Sequence, residues 1–217
     1  MKTVAVIDYG MGNLHSVAKA LEKVAEGTRV VVTSDSGEIR AADRAVLPGV
    51  GAMRDCMGEL QRLELVDVIK ETAASKPLLG VCVGMQAMFD FSEENHGVEC
   101  LGLFPGKVLA FATDMTDPGT GERLKVPHMG WNRVHQAMED HPMWTDIEDG
   151  AHFYFVHSYY AEPADPEIIA GFSTYPHAFT AAVTQDNVFA VQFHPEKSQS
   201  TGLQLYANFL NWDGQSK

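Results

Sequence analysis

The sequence predicts an α/β protein: an open, mixed and largely parallel sheet flanked by helices, with an antiparallel C-terminal portion. Three observations predict it. Short apolar runs alternate with helix-spaced segments in the first half, the pattern of a parallel sheet covered on both faces. Apolar runs follow one another closely in the second half, which asks for antiparallel or mixed pairing. Nothing resembling a linker, repeat or low-complexity tract interrupts the chain, so residues 1–217 read as a single domain.

The elements follow in order. "TVAVID" (3–8) is β-rich, and "NLHSVAKALEKV" (13–24) places apolar residues at helical spacing. "TRVVVTS" (28–34), "RAVLPG" (44–49) and "KPLLGVC" (76–82) read as short buried strands, with helix expected across 57–75. Four further runs then read as strands: "HFYFVHSYYA" (152–161), "EIIAGFST" (167–174), "AFTAAVTQ" (178–185) and "NVFAVQFH" (187–194). A last helix, "GLQLYANFLNW" (202–212), closes the chain.

With 217 residues, 45% of them hydrophobic and 21% charged, the chain can bury one sizeable core and has no disordered signature. A net charge of -13 argues against a nucleic-acid backbone or an anionic membrane as partner. The opening "MKTVAVIDYG" is broken by Asp8, too short an apolar run for a signal or a membrane span. Cys56, Cys82 and Cys100 are odd in number and lack CxxC spacing. A disulfide framework or metal site is therefore not expected; a reduced, cytoplasmic setting is, with no cofactor.

Cys82 stands apart from the other two thiols. "LLGVCVGMQAMF" (78–89) reads strand, sharp turn, helix, with the cysteine on the turn in a G-x-C-x-G frame, the thiol version of a nucleophile elbow. Gly80 and Gly84 remove Cβ atoms where a strained turn crowds its neighbours. A following helix N-terminus favours thiolate, and turn amides such as that of Val83 can donate to an oxyanion. A buried structural cysteine is the competing reading, and the glycine frame puts the nucleophile level with it. Cys56 and Cys100 have no such frame.

A thiol nucleophile needs a base, and "NVFAVQFHPEKS" supplies one at His194. Pro195 holds His194 extended, and in an extended segment Glu196 shares its face, placed to orient the imidazole. Alone, H-P-E also reads as a surface turn. Both motifs end strands, where open α/β sheets build ligand sites. "VLPGVGAM" (46–53) leaves a third strand end, and its Gly49 and Gly51 can expose amides for an oxyanion hole or form an ordinary turn. "DYGMGNLH" (8–15) half-matches a dinucleotide fingerprint, with Gly10 and Gly12 but His15 for the third glycine, and Asp35 downstream. A loop at the site's edge or at a subunit contact fits it better.

Together, "GVCVGMQ", "PGVGA" and "FHPEKS" resemble the class I (triad) glutamine amidotransferases. Within that family "DYGMGN", "VPHMGWN", "YFVHSYY" and "HPEKSQSTGLQLYANFL" look like the glutaminase subunits of imidazole glycerol phosphate synthases, from end to end. Val83 departs from a common leucine. The resemblance implies an amidotransferase fold and a Cys82–His194–Glu196 triad that hydrolyses glutamine through a thioester, with an oxyanion hole at Val50, Gly51 and Val83. It places glutamine against Gly51, Gln86, Glu94, Ser158 and Tyr159. It also implies a heterodimer with a (β/α)₈ cyclase that receives the ammonia in histidine biosynthesis, contacted by Asn13, Met129, Trp131, Tyr154 and Lys197. Without the resemblance Trp131 reads as a core aromatic and Lys197 as a solvated charge. Rivals are a glutaminase for another synthase, a non-catalytic scaffold, and a free-standing cysteine hydrolase.

Overall fold

The computed structural model describes residues 1–215. The chain starts as β1 (Lys2–Ile7), α1 (Leu14–Val24), β2 (Thr28–Thr33), α2 (Ser36–Ala41) and β3 (Arg44–Gly49). It continues through α3 (Met53–Arg62), α4 (Leu65–Ser75), β4 (Leu78–Cys82) and a single turn of helix, α5 (Val83–Gln86). Helix expected across 57–75 is thus two helices. Glu64 takes a left-handed conformation (φ 55°) between them and breaks the hydrogen-bond ladder without any glycine or proline to announce it.

Three strands follow that the hydrophobic pattern does not announce: β5 (Phe89–Ser92), β6 (Val98–Glu99) and β7 (Phe104–Ala110). Pro105 and Gly106 inside β7 mask its strand character. β8 (His128–Gln136) carries the "HMGWN" motif and forms a long ribbon with β9 (Ala151–His157). The run 152–161 is therefore two strands. The break at Ser158 separates β9, paired with β8, from β10 (Tyr159–Pro163), paired with β7 and β12. β11 (Ile169–Thr174) follows a 3₁₀ turn at Pro166–Ile168, then come β12 (Ala178–Gln185) and β13 (Val188–Val191). α6 (Gln199–Asn211) begins three residues earlier than expected.

The sheet order is β2-β1-β3-β4-β13-β12-β10-β7-β5-β6, with β11 branching from β12 toward the β8–β9 ribbon. β2, β1, β3, β4 and β13 are all parallel; β13 is antiparallel to β12, where the mixed half begins. β3, β4 and β13 are buried at every residue, as strands covered on both faces must be. α1 packs on α6, and α2 and α3 pack on α4. Register decides where the site lies. Gly49 at the end of β3 pairs with Cys82 at the end of β4, and Val191 at the end of β13 pairs with Val81. Adjacent parallel strands thereby bring the glycine loop, the cysteine turn and the H-P-E segment to one sheet edge.

Candidate active site

Cys82 sits at φ 56°, ψ -112°, a sparsely populated conformation for any residue with a Cβ. That strain turns the chain from strand to helix in one residue and puts the sulfur at the sheet edge. Gly84 is what lets the turn close. A Cβ there would lie 2.0 Å from the Leu47 carbonyl oxygen, so α5 can rest on β3 only with glycine at that position. Because α5 is a single turn, it offers the sulfur free first-turn amides and not the macrodipole of a long helix.

The loop after β3 forms the second wall. The Tyr9 hydroxyl donates to the Pro48 carbonyl (2.8 Å) and pins the strand end. Gly51 has φ 94° and Val50 stands 38% exposed at the mouth. The Cys56 thiol donates to the Val50 carbonyl (3.6 Å), a buried anchor that the sequence did not single out. Burial raises Cys56 to about 11 and Cys100 to about 12, so both remain thiols at neutral pH. The "DYGMGN" loop lies close by: the Met11 methyl would contact any Cβ placed on Gly51. Asp35, the candidate ribose acid, instead caps α2 by accepting from the Glu38 amide (2.8 Å).

The third wall is the H-P-E segment. His194 is extended (φ -103°, ψ 97°), but Pro195–Lys197 form a 3₁₀ turn. Glu196 reaches its histidine because the turn folds back, not because the two share a strand face. His194 Nδ1 lies 2.8 Å from Glu196 Oε1, with both side chains no more than 2% exposed. A carboxylate only accepts, so Nδ1 carries the proton and Nε2 is left free of any protein partner among the described residues. It is the nitrogen that can exchange a proton with the nucleophile and the substrate. Burial pulls the pKa of His194 down, but the neighbouring Cys82 and Glu196 outweigh it and raise the ring to about 10. The His194 amide donates to the Tyr154 carbonyl (2.9 Å), while the Ser198 hydroxyl donates to the His194 carbonyl (2.7 Å) and accepts from the Tyr154 amide (3.0 Å).

These walls enclose a cavity of ≈ 300 Å³. Cys82 and His194 line it together with Val50, Gly51, Val83, Gln86, Glu94, Ser158 and Tyr159, so every residue expected at the substrate or the oxyanion meets there. Its volume and few convergent polar groups suit a small polar molecule. Glu94 accepts from the Met53 amide (2.7 Å), which fixes the carboxylate at the rim. Gln86 Nε2 donates to the Tyr159 carbonyl (3.0 Å) and to Gln192 Oε1 (2.9 Å), leaving its own Oε1 for a ligand. Outside the cavity, Met129 (63% exposed) and Trp131 (47%) project from β8, so Trp131 is not a core residue. Trp131 meets Tyr154 edge-on at 6.0 Å, and Lys197 Nζ lies 5.7 Å from the Tyr154 ring. Asn13 is exposed just before α1. Among the described residues no cluster of side chains could hold a metal ion, and no helix is long and apolar enough to cross a membrane.

The family profile described as glutamine amidotransferase class-I matches residues 5–212. The chain belongs to that family. Within it, the chain is 59% identical to imidazole glycerol phosphate synthase subunit HisH 1 of Pseudomonas aeruginosa, over 99% of both chains. It is 58% identical to the HisH subunit of Methylococcus capsulatus over 98% of both. The amidotransferase fold extends to remoter structures. PurLQS from Thermotoga maritima aligns with a TM-score of 0.73 at 18% identity, over 97% of this chain and 98% of that one. The glutaminase domain of Trypanosoma brucei CTPS gives 0.65 at 18%, over 100% and 97%. For a class-I amidotransferase, the sequence reading missed His157, Pro127 and Val156 in the cavity wall, as well as Gln192, Ser198 and Tyr206 behind it. Only Gln192 carried a signal, two residues before His194 on an alternating segment.

Proposed function

We propose that the chain is the glutaminase subunit of an imidazole glycerol phosphate synthase, hydrolysing glutamine to glutamate and ammonia for histidine biosynthesis. The observation that carries this is the convergence, in one small cavity, of a strained cysteine turn with a buried His194–Glu196 pair. Cys82 Sγ, its proton having passed to His194 Nε2, attacks the side-chain carboxamide carbon of glutamine. The resulting oxyanion is met by amides of Val83 and of the Val50–Gly51 loop. His194 gives a proton to the departing nitrogen, and ammonia leaves a γ-glutamyl thioester. His194 Nε2 then takes a proton from water, which attacks the thioester and frees glutamate and the thiol. Glu196 orients the ring and supports its positive charge. Gly51, Gln86 Oε1, Glu94 and the backbone at Ser158 and Tyr159 hold the substrate.

The partner is a (β/α)₈ cyclase bound as a heterodimer in the cytoplasm. Asn13, Met129, Trp131, Tyr154 and Lys197 form the surface that meets it. Two features support this: an apolar pair exposed on β8, and the bonding of the adjacent Tyr154 backbone to His194 and Ser198. Ammonia passes directly to the partner because in water it is mostly protonated and no longer nucleophilic.

The test is glutamate release by the purified chain alone and with the cyclase plus its nucleotide ligand. Strong stimulation by that pair is expected. Unstimulated activity would reassign the partner, and silence in both conditions with Cys82 reduced would favour a scaffold.

A further inference from the structure

A short hydrogen-bond chain behind the cavity ends on the nucleophile, and its direction is fixed at the other end. The Tyr159 carbonyl oxygen can only accept. His157 Nδ1 lies 2.8 Å from it and Gln86 Nε2 3.0 Å, so each of the two donates and both of its lone pairs are taken. His157 thereby carries its proton on Nδ1, and its Nε2 accepts from His128 Nδ1 at 2.9 Å. Gln86, with its nitrogen set toward Tyr159, uses the second N–H for Gln192 Oε1 at 2.9 Å. Gln192 is then oriented too. Its amide nitrogen faces Cys82 Sγ at 3.7 Å, a normal length for a hydrogen bond to sulfur. Gln192 is 0% exposed, and its backbone amide is tied to the Ala181 carbonyl (2.9 Å), so the side chain has little freedom to turn away. A backbone carbonyl thus dictates, through two side-chain amides, that a donor and not an acceptor meets the sulfur.

We propose that Gln192 is a positioning residue for the nucleophile, its Nε2–H donating to Cys82 Sγ so as to aim the sulfur and favour the thiolate. The role rests on Cys82 being the nucleophile proposed above. It differs from the part played by His194, because an amide neither takes nor delivers a proton; it lowers the cost of charge on sulfur before substrate arrives. Gln86 thereby acquires a second role: besides facing the cavity, it keeps Gln192 the right way round.

The test is the pH dependence of Cys82 alkylation by iodoacetamide in the full chain, followed by mass spectrometry of the Cys82 peptide. Gln192→Met removes donor and acceptor at similar length, and Gln192→Leu does so with a branched side chain, neither adding a charge. A hydrogen bond to an ionised group sets the scale, so the alkylation midpoint in Gln192→Met should rise by about one pH unit. Alkylation below that midpoint should slow about tenfold, and kcat for glutamine should fall by a similar factor with KM within about twofold. A folded Gln192→Met whose midpoint matches the parent overturns the proposal, since a merely structural amide would lower the melting temperature and leave the thiol profile alone. Should that variant fail to fold, Gln192→Leu, which also lacks the donor and adds no charge, is read by the same criterion. Alkylation does not depend on glutaminase activity. A shifted midpoint in a chain inactive with the cyclase would sink the functional reading and keep the positioning role; an unshifted midpoint in an active enzyme would do the reverse.

Discussion

Three cysteines share this chain, and their surroundings separate them by chemistry. Cys56 and Cys100 are held as thiols by burial, at about 11 and about 12, whereas Cys82 faces a cavity between His194 and a donated amide. Cys82→Ser should therefore abolish glutamine hydrolysis, and Cys100→Ser should leave it within about twofold. Cys56 is more exacting than a lone buried thiol, because it holds the Val50 carbonyl at the proposed oxyanion wall. Serine keeps that donor and alanine does not, so Cys56→Ser should retain activity that Cys56→Ala loses in part. Steady-state glutamate release over the four variants checks this, and normal turnover in Cys82→Ser would falsify the triad. In the same assay His194→Ala should cost roughly 10⁴-fold and Glu196→Gln between roughly 10²- and 10⁴-fold, since glutamine can still offer an acceptor to Nδ1 but no negative charge.

Between elements, the site depends on close approaches that only glycine permits. α5 lies on β3 with the Gly84 Cα side turned to the Leu47 carbonyl, and α6 lies on the H-P-E turn with Gly202 turned to the Pro195 carbonyl. A methyl group at Gly84 would sit 2.0 Å from an oxygen of the central sheet, which cannot yield as a flexible side chain would. Gly84→Ala should cost about 3 kcal/mol and lower the melting temperature by roughly 6–12 °C, with glutaminase activity lost as the Cys82 turn lifts from the sheet. Thermal unfolding beside the activity assay measures both, and an unchanged melting temperature would mean the turn closes some other way. The cysteine frame was legible in sequence because those glycines sit in it. The reach from His194 to Glu196 was legible only by residue type, since a 3₁₀ turn and an extended strand both follow naturally from His-Pro-Glu. Gln192 was legible by its place two residues before His194. Its contacts to Cys82 and Gln86, however, come from other elements, as does that of Ser198 to Tyr154, and no local pattern announces such contacts. Likewise Cys56 meets Val50 from a different element.

Across the whole molecule, the parallel half was legible because strands buried on both faces are apolar throughout, as β3, β4 and β13 are. The strands β5 to β8 were not, because glycine, proline and exposed positions interrupt their pattern and their identity is set by neighbours brought in from far along the chain. That mixed half also buries three histidines in neutral form. Burial lowers His128 and His141 to about 4 and His157 to about 3. His157 lines the cavity and His128 bonds to it, but His141 is remote from it, packed on Phe189 and Trp212 with ring centroids 5.0 and 5.4 Å away. Its Nδ1 accepts from the Met143 amide (3.2 Å), so its proton is on Nε2, directed at the Thr184 hydroxyl (3.2 Å). A histidine whose folded pKa lies below its unfolded value stabilises the fold fully above the unfolded value. Between about pH 6.5 and about 4 the unfolded chain takes up a proton that the folded chain refuses. Stability should consequently fall as the pH drops through that window. His141→Asn retains an acceptor for the Met143 amide and removes the titrating ring, so it should flatten the decline without touching the cavity. Urea unfolding midpoints of the parent and the variant at pH 7, 6 and 5 decide the matter: the gap between them should narrow steadily as the pH falls, and two parallel lines would mean that His141 is not the group that acid attacks.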